Sequence, residues 1–535
     1  MAINTYKERK NKLPTPIQPK ILEKYLNEVD YNVELTRKLV KGFSHGFKLG
    51  YVGMPTSDPG VKNLSSCKMN KQAVDEHLSK EIGLGRIVGP FEKIPFSSFQ
   101  LSPVGLVPKK SGKFRMIINL SAPEGHSIND GIPDHAAAVS YISLEDALAI
   151  IVETGKNCFL AKSDIQSAFR LLPLAAEESK LLCFEWEGLF YYDRCLPMGA
   201  RSSCSLFESF SSAIEFIIKR KGVSEMVHYL DDFLFIHPTR QGCLGALNEF
   251  RRVCAEIGVP LAEDKTVGPS QKLEFLGFEI DTCSQIVSLP KEKLVKGKEI
   301  ISALLSKNKC SLKDLQKLTG FLGFASTVVL PGRVYLNRFY AAMAKLREPW
   351  HHIRTTSVKE DLLVWKSFFD DWNGKSLYRE QLFYTTQPVH IFTDASQILG
   401  CAAVFENDWL AKKWPSKWWA SQNIFFLEMI PVWLAIEAWS TCLKNKLVVF
   451  HIDNWALVQT LNKLMSKDRK VMAVVRVFVM HCLKHNILVR AEHIAGADNR
   501  LADALSRGKQ EEFFALHPQA NVHPTDCRGL PTRWH

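Results

Sequence analysis

Met226 to Ile236 reads Met-Val-His-Tyr-Leu-Asp-Asp-Phe-Leu-Phe-Ile, two runs of β-forming residues around two adjacent carboxylates. The pattern predicts a hairpin with Asp231 and Asp232 at its tip. Two anionic side chains at one turn repel each other and cost stability unless a cation lies beside them. A divalent metal is the natural partner, because hard cations take oxygen ligands. Taken alone, an Asp-Asp pair is more often a solvated turn. The chain carries its own control in Asp370-Asp371, which lies in Val364-Trp-Lys-Ser-Phe-Phe-Asp-Asp-Trp372. That stretch has helix-like spacing and no flanking strands, and it reads as a helix end.

The hairpin sits in a chain of 535 residues, enough for three or four domains. Lys and Arg number 68 against 56 Asp and Glu, a net charge of +12. Such a balance implies a polyanionic partner, most often nucleic acid, with a plain solubility charge as the alternative. The 13 cysteines include no Cys-x-x-Cys pair, so they read as small buried residues in a reducing compartment. Met1 to Pro14 is polar and basic, unlike a secretory signal. No stretch approaches the roughly 20 apolar residues of a membrane span. These features predict a soluble intracellular protein, cytoplasmic or nuclear, with no membrane partner.

Glu23 to Phe47 and Lys71 to Ile82 show helical spacing. From Leu101 the pattern turns to strands, and Ser102 to Asn119 predicts a hairpin with a basic turn over Lys109 to Lys113. Lys110, Lys113 and Arg115 would form a cationic finger for a triphosphate or a nucleic-acid backbone, though a plain basic hairpin fits equally. Cys158 to Phe169 holds a short apolar strand ending at Asp164. With the hairpin it makes three carboxylates, a set able to hold two metal ions for phosphoryl transfer. Pro197-Met-Gly199 forms a turn that lets backbone approach a ligand, with Ser202 or Ser203 expected to cap the following helix. Lys265 follows a further helix and turn, and Leu273 to Ile280 reads as a strand containing Gly277.

Taken in order, these signals resemble the fingers and palm of reverse transcriptases over residues 95 to 285. The resemblance implies that Asp164, Asp231 and Asp232 bind the catalytic metals, and that Phe169 is a steric gate below the sugar 2′ position. It places Met198 and Gly199 beside the incoming nucleotide and template. Lys110 and Arg115 become triphosphate contacts, Lys265 a lysine near the leaving phosphate, and Leu276 and Gly277 the primer grip. Met198 departs from the usual retroviral Gln. Asn119 to Asp130 replaces the retroviral Asp-and-Arg segment and, with Gly85-Arg-Ile-Val-Gly-Pro-Phe91, is similar to DIRS-type, tyrosine-recombinase retrotransposons.

Residues 291 to 345 are predicted mostly helical, with Ser311-Leu-Lys-Asp314 as a capping box; by resemblance this is a thumb. Residues 346 to 385 read as an aromatic, helical connection. A second acidic set follows. Asp394 and Asp453 end strands, Glu428 sits in an apolar helix where an unpaired acid would be costly, and Asp503 lies in a short helix. Their order, with His493 and Asn499, resembles the ribonuclease H fold from about 388 to 507. The resemblance implies two Mg²⁺ ions, with Mn²⁺ as a substitute, water as nucleophile, and His493 as a mobile residue aiding product release. Residues 508 to 535, rich in Pro and polar residues, are expected to be loosely ordered.

The combined expectation is an α+β right-hand polymerase with fingers, palm and helical thumb, followed by an α/β ribonuclease H-like domain. Its boundaries would be an N-terminal helical extension over 1–90, fingers and palm over 91–285, thumb and connection over 286–385, the second domain over 386–508 and a tail over 509–535. Expected partners are an RNA template, a DNA primer, an RNA–DNA hybrid and deoxynucleoside triphosphates. Two alternatives remain from sequence: a decayed or domesticated element protein that only binds nucleic acid, and an RNA-synthesising or telomerase-like polymerase.

Overall fold

The computed structural model describes residues 12–55, 61–109, 112–346, 348, 350–372, 376–377, 387–444, 446–485, 487–527 and 529–530. They form two compact units, Met1–Leu276 and Gly277–His535.

The first unit is built on an antiparallel sheet in the order β7-β8-β4-β9. Its strands are β4 (Phe159–Asp164), β7 (Met226–Tyr229), β8 (Asp232–His237) and β9 (Val267–Ser270). Phe233, Leu234, Phe235 and Ile236 of β8 are all buried, so this central strand is covered on both faces. Two long helices account for much of the cover. In Ser203–Arg220 the buried residues Phe207, Phe210, Ile214, Ile217 and Ile218 recur at helical spacing. In Arg240–Ile257, Phe250 packs on Phe233 and Phe235. The expected N-terminal helix is two helices, Pro19–Glu28 and Val33–His45, separated where Asp30 takes a φ of 53°. Leu22, Leu26, Leu39 and Phe43 join the same core, so these two helices pack into the first unit.

Two smaller strand groups complete that unit. β1 (Ile87–Phe91), β6 (Leu189–Asp193) and β5 (Cys183–Trp186) form one sheet in that order, and β2 (Val104–Pro108) pairs with β3 (Phe114–Ile118). Arg170 ties this region inward, with its guanidinium 2.9 Å from Glu81 and 2.6 Å from Asp193. Mixed helices and antiparallel sheets make this an α+β fold.

In the second unit, helices Lys291–Leu305 and Leu312–Ala325 follow the helical expectation. Ser311 and Asp314 form the capping box: Asp314 N–H donates to Ser311 Oγ at 3.2 Å, and Ser311 N–H to Asp314 Oδ2 at 3.1 Å. Asp370-Asp371 lies in a turn of π-helix, Phe368–Trp372, directly after Lys359–Ser367, so this pair does end a helix. A five-stranded mixed sheet then follows, built from β10 (Val389–Ala395), β11 (Gly400–Phe405), β12 (Asp408–Lys413), β13 (Leu447–Ile452) and β14 (Leu488–His493). The order is β12-β11-β10-β13-β14, with β10, β13 and β14 parallel. Helix Ile424–Trp439 is apolar on every side and buried along nearly its whole length.

The C-terminal segment departs from expectation. Gln510–Leu516 is helical and buries Phe513, while Asn521 and Thr525 N–H groups donate to the carbonyls of Asn407 and Trp409 beside β12. Two phenylalanines and those backbone bonds outweigh the polar, Pro-rich composition that predicted loose order. The described cysteines are all free, and no helix among the described residues is long and apolar enough to cross a membrane.

Candidate nucleotidyl-transfer and hydrolytic sites

Strand register brings the first carboxylates together. Asp164, the last residue of β4, lies opposite Asp232, the first residue of β8. β7 and β8 close with Tyr229 opposite Asp232, leaving Leu230 and Asp231 as a two-residue turn. Asp231 therefore occupies the turn and Asp232 the strand beyond it. Leu230 holds a φ of 52°, a conformation costly for a bulky side chain and one that clusters at functional sites. The turn is fixed from β4 by Ile165 N–H donating to Asp231 O at 2.9 Å.

Charge is crowded here. Burial, together with Asp164 and Asp231, raises the Asp232 carboxyl to about 6 despite the opposing charge of Lys162. Asp231 is raised first by burial and then by Asp164. Lys265 reaches Asp164 alone of the three by hydrogen bond, its Nζ 3.1 Å and 3.0 Å from the two oxygens. Asp232 Oδ1 is buried with no hydrogen-bond partner. A buried carboxylate oxygen without a hydrogen-bond partner, beside two further carboxylates, is a hard-oxygen donor set that fits a divalent metal.

Around this triad the other expected contacts fall into place unevenly. Arg115 Nη1 lies 3.4 Å from Met198 Sδ, and Met198 is 49 % exposed. Asn129 holds the turn below Met198: its Nδ2 donates to Gly199 O at 2.9 Å and its Oδ1 accepts from Arg201 N–H at 2.8 Å. Nothing in the local pattern marks Asn129, because its partners lie about seventy positions away. A Cβ at Gly199 would stand 3.2 Å from Ile118 O, so glycine keeps this approach open. Ser202 and Ser203 do not cap the next helix. Their hydroxyls donate to Leu49 O and Pro197 O, drawn to carbonyls that tertiary packing supplies.

Phe169 is buried at 8 % exposure, with its ring 5.2 Å from that of Phe207. Leu276 ends the first unit with a φ of 49°. In the second unit, Gly277 O accepts from Lys293 Nζ at 2.6 Å, and a Cβ at Gly277 would collide with that lysine. Lys110 lies outside the described residues.

The second set is tighter. Asp394 and Asp453 reach the same level on adjacent parallel strands, since Phe392 pairs with His451. Glu428 comes from the second turn of Ile424–Trp439. Oxygens of Asp394, Glu428 and Asp453 all lie within 4.8 Å of one another. Burial and then the charges of Asp394 and Asp453 push Glu428 well up. Burial raises Asp394 to about 6, against a hydrogen bond from Ser506 Oγ. Asp453 is raised by burial, opposed by its own backbone and by His493. Glu428 Oε2 is buried and unpartnered. This group also fits a divalent cation.

Asp503 stands beside rather than inside that cluster, bound to Arg507 Nε at 2.6 Å. Its helix, Arg500–Ser506, is anchored by Asn499 Nδ2 donating to Thr393 O at 2.9 Å. His493 Nε2 lies 3.1 Å from Asp453 O. Ser506, unmarked by the sequence reading, closes over Asp394 from the helix that carries Asp503.

Residues 107–280 match the family model described as reverse transcriptase (RNA-dependent DNA polymerase). This stretch is a reverse transcriptase domain. It contains Asp164, Asp231, Asp232 and Lys265, whereas the Asp394 cluster lies beyond it. The chain is 24 % identical over 262 residues to the Pro-Pol polyprotein of Feline foamy virus, covering 48 % of this chain and 21 % of that one. It is 26 % identical over 181 residues to Protein P of Duck hepatitis B virus (strain China), covering 34 % of this chain and 23 % of that protein. The chain thus spans about a fifth of the length of these curated relatives. Among solved structures, a foamy viral protease–reverse transcriptase in complex with double-stranded DNA aligns with a TM-score of 0.49 at 16 % identity, over 88 % of this chain and 81 % of that one. One in complex with an RNA/DNA hybrid aligns at 0.48 and 16 %, over 88 % and 62 %.

Proposed function

We propose that the chain is an RNA-directed DNA polymerase that extends a DNA primer on an RNA template, with a second centre that cuts the RNA strand of the resulting hybrid. The observation that carries the first activity is the register of Asp164 against Asp232 with Asp231 in the intervening turn, inside the reverse transcriptase domain. The tight group Asp394, Glu428 and Asp453 supports the second. Asp164, Asp231 and Asp232 would hold divalent ions at one centre, and Asp394, Glu428, Asp453 and Asp503 at the other, with Mg²⁺ the expected species. When bound, such ions acidify the attacking hydroxyl or water and offset charge on the leaving oxygen.

The chain's own residues do the rest. Asn129 fixes the Met198–Gly199 turn against which a nucleotide would lie. Arg115, exposed beside Met198, meets the triphosphate charge, and Lys110 is a second triphosphate contact. Phe169 backs the sugar site, and Leu276 with Gly277 holds the primer end. His493, beside Asp453, aids departure of cut RNA. Net charge of +12 suits a channel that follows a duplex backbone rather than reading bases.

The segments 1–90, 91–285, 286–385, 386–508 and 509–535 take the roles of extension, fingers and palm, thumb and connection, ribonuclease and tail. The Asn119–Asp130 and Gly85–Phe91 segments support an origin in a DIRS-like retrotransposon, acting in the cytoplasm or nucleus. The deciding experiment is primer extension by purified protein on a homopolymer RNA template with Mg²⁺ or Mn²⁺. Wild type should extend, and Asp231→Asn should lose roughly a hundredfold or more while remaining folded. Near-normal extension by the folded variant would remove Asp231 from the site.

A further inference from the structure

We propose that Trp455 is a nucleic-acid contact of the Asp394–Glu428–Asp453 centre, a flat apolar ring that packs against the sugar rim of an RNA–DNA hybrid. This rests on the nuclease reading of that centre. Trp455 opens the helix Trp455–Lys463, two positions after Asp453, and is 61 % exposed. Trp409 and Trp419 of the same domain are 2 % and 1 % exposed. A large aromatic ring left in water forgoes the burial that usually dominates its energetics, and such rings are enriched where a partner covers them.

Trp455 is not on a loose loop. Asn454 Oδ1 accepts from Leu457 N–H at 3.2 Å and caps its helix. At the other end, Asn462 pairs with Ala491 in both directions, each bond 2.9 Å. That clasp fixes the helix to β14, the strand that ends in His493. The Trp455 ring stands edge-on to His493, with centroids 5.7 Å apart and planes at 74°. His493 in turn contacts Asp453 O. An apolar plate is therefore held one ring away from the carboxylates.

The chemistry of the plate narrows what it meets. Phosphates are met mainly by cations, backbone N–H groups and polar side chains, and the indole has only its single Nε1–H to offer them, so the broad apolar face of the ring is left for another surface. Base faces inside a duplex are stacked on each other and closed to it. An A-like hybrid instead exposes sugars along a wide, shallow minor groove, a surface that a flat ring can cover. Trp455 thus acts in binding and placing the strand, separate from the proton and charge work of the acids.

The test uses the full chain, with Trp455→Ala and Trp455→Phe, and measures cleavage of a long RNA–DNA hybrid. Primer extension on the same preparations is the control. The alanine variant should raise KM for the hybrid about tenfold, in line with an aromatic–nucleotide contact. Its kcat should stay within about twofold, and the phenylalanine variant should recover most of the loss. Extension and thermal stability should not change. With a wild type that cleaves, an unchanged KM in the alanine variant would overturn the assignment alone, and so would a fall in its kcat with KM constant, which places Trp455 behind His493. A wild type that extends primers yet leaves the hybrid uncut would overturn both this proposal and the nuclease reading beneath it.

Discussion

Lys265 straddles Asp164, with its Nζ 3.0 Å and 3.1 Å from the two carboxylate oxygens. The two are brought together because Ala262 N–H donates to Asp164 O at 2.8 Å, which starts the short turn Glu263–Lys265 beside the end of β4. Lys265 is 59 % exposed at its side chain and Asp164 16 %, so the pair adds little stability. Its consequence is competition, because a lysine on a carboxylate must yield when a divalent ion takes that carboxylate.

Lys265→Met should therefore lower the Mg²⁺ concentration at half-maximal primer extension by about twofold or more, since ~0.4 kcal/mol is within the worth of such a pair. Maximal rate should fall, because a cation near the phosphates is lost. A Mg²⁺ titration of extension by wild type and variant checks both. An unaltered Mg²⁺ requirement would mean that the lysine swings clear before metal binds.

The local part of this site was legible in sequence, and the partnerships were not. Asp164, Asp231 and Asp232 could be placed because strand runs end at them, and a strand end is a property of neighbouring residues. Lys265 on Asp164, Ser506 on Asp394 and Asn129 on Gly199 join positions 101, 112 and 70 apart. No periodicity encodes such contacts. The same cause explains the serines at 202 and 203, whose local pattern offers a cap while distant carbonyls take their hydroxyls. The C-terminal segment misled by composition, where Phe513 and Phe514 supply an anchor on Trp409 that an average over polar neighbours conceals.

His228 supplies a pH prediction away from the acids. It is 7 % exposed on β7 between two glutamates of Ser203–Arg220, with Nε2 3.0 Å from Glu208 and Nδ1 against Glu215. Burial opposes the charged ring, but the hydrogen bonds it donates to Glu208 and Glu215, and the charges of those two carboxylates, raise it from 6.5 to about 9. Glu215, though burial works the other way, is lowered from 4.5 by His228 and Lys219. A raised imidazole contributes stability in full below 6.5 and loses it as pH rises through about 9. A lowered carboxyl contributes above 4.5 and loses it as pH falls below that value. His228→Gln should hence cost most between these limits, near pH 5 to 6.5, on the order of 2 kcal/mol or more. The gap to wild type should close by about pH 10. Denaturant unfolding across that range checks it, and a gap that is constant with pH would reduce His228 to a packing residue.

The two acidic centres should separate by mutation. Asp453 belongs to a group whose oxygens lie within 4.8 Å of one another, all in the second unit, while Asp164, Asp231 and Asp232 belong to the first. Asp453→Asn keeps size and removes a charge that two divalent ions would need, so Asp394 and Glu428 could not hold them as well. Relief of crowding among raised carboxyls should leave the fold intact, and thermal stability without metal should hold or rise. Cleavage of RNA in an RNA–DNA hybrid should then fall roughly a hundredfold or more, with primer extension largely unchanged. Both assays belong on one preparation, because a partly unfolded sample would lower the two together. Loss of both activities by protein of normal thermal stability would mean that the acids at 164, 231 and 232 depend on Asp453, and that two centres had been drawn where the molecule has one.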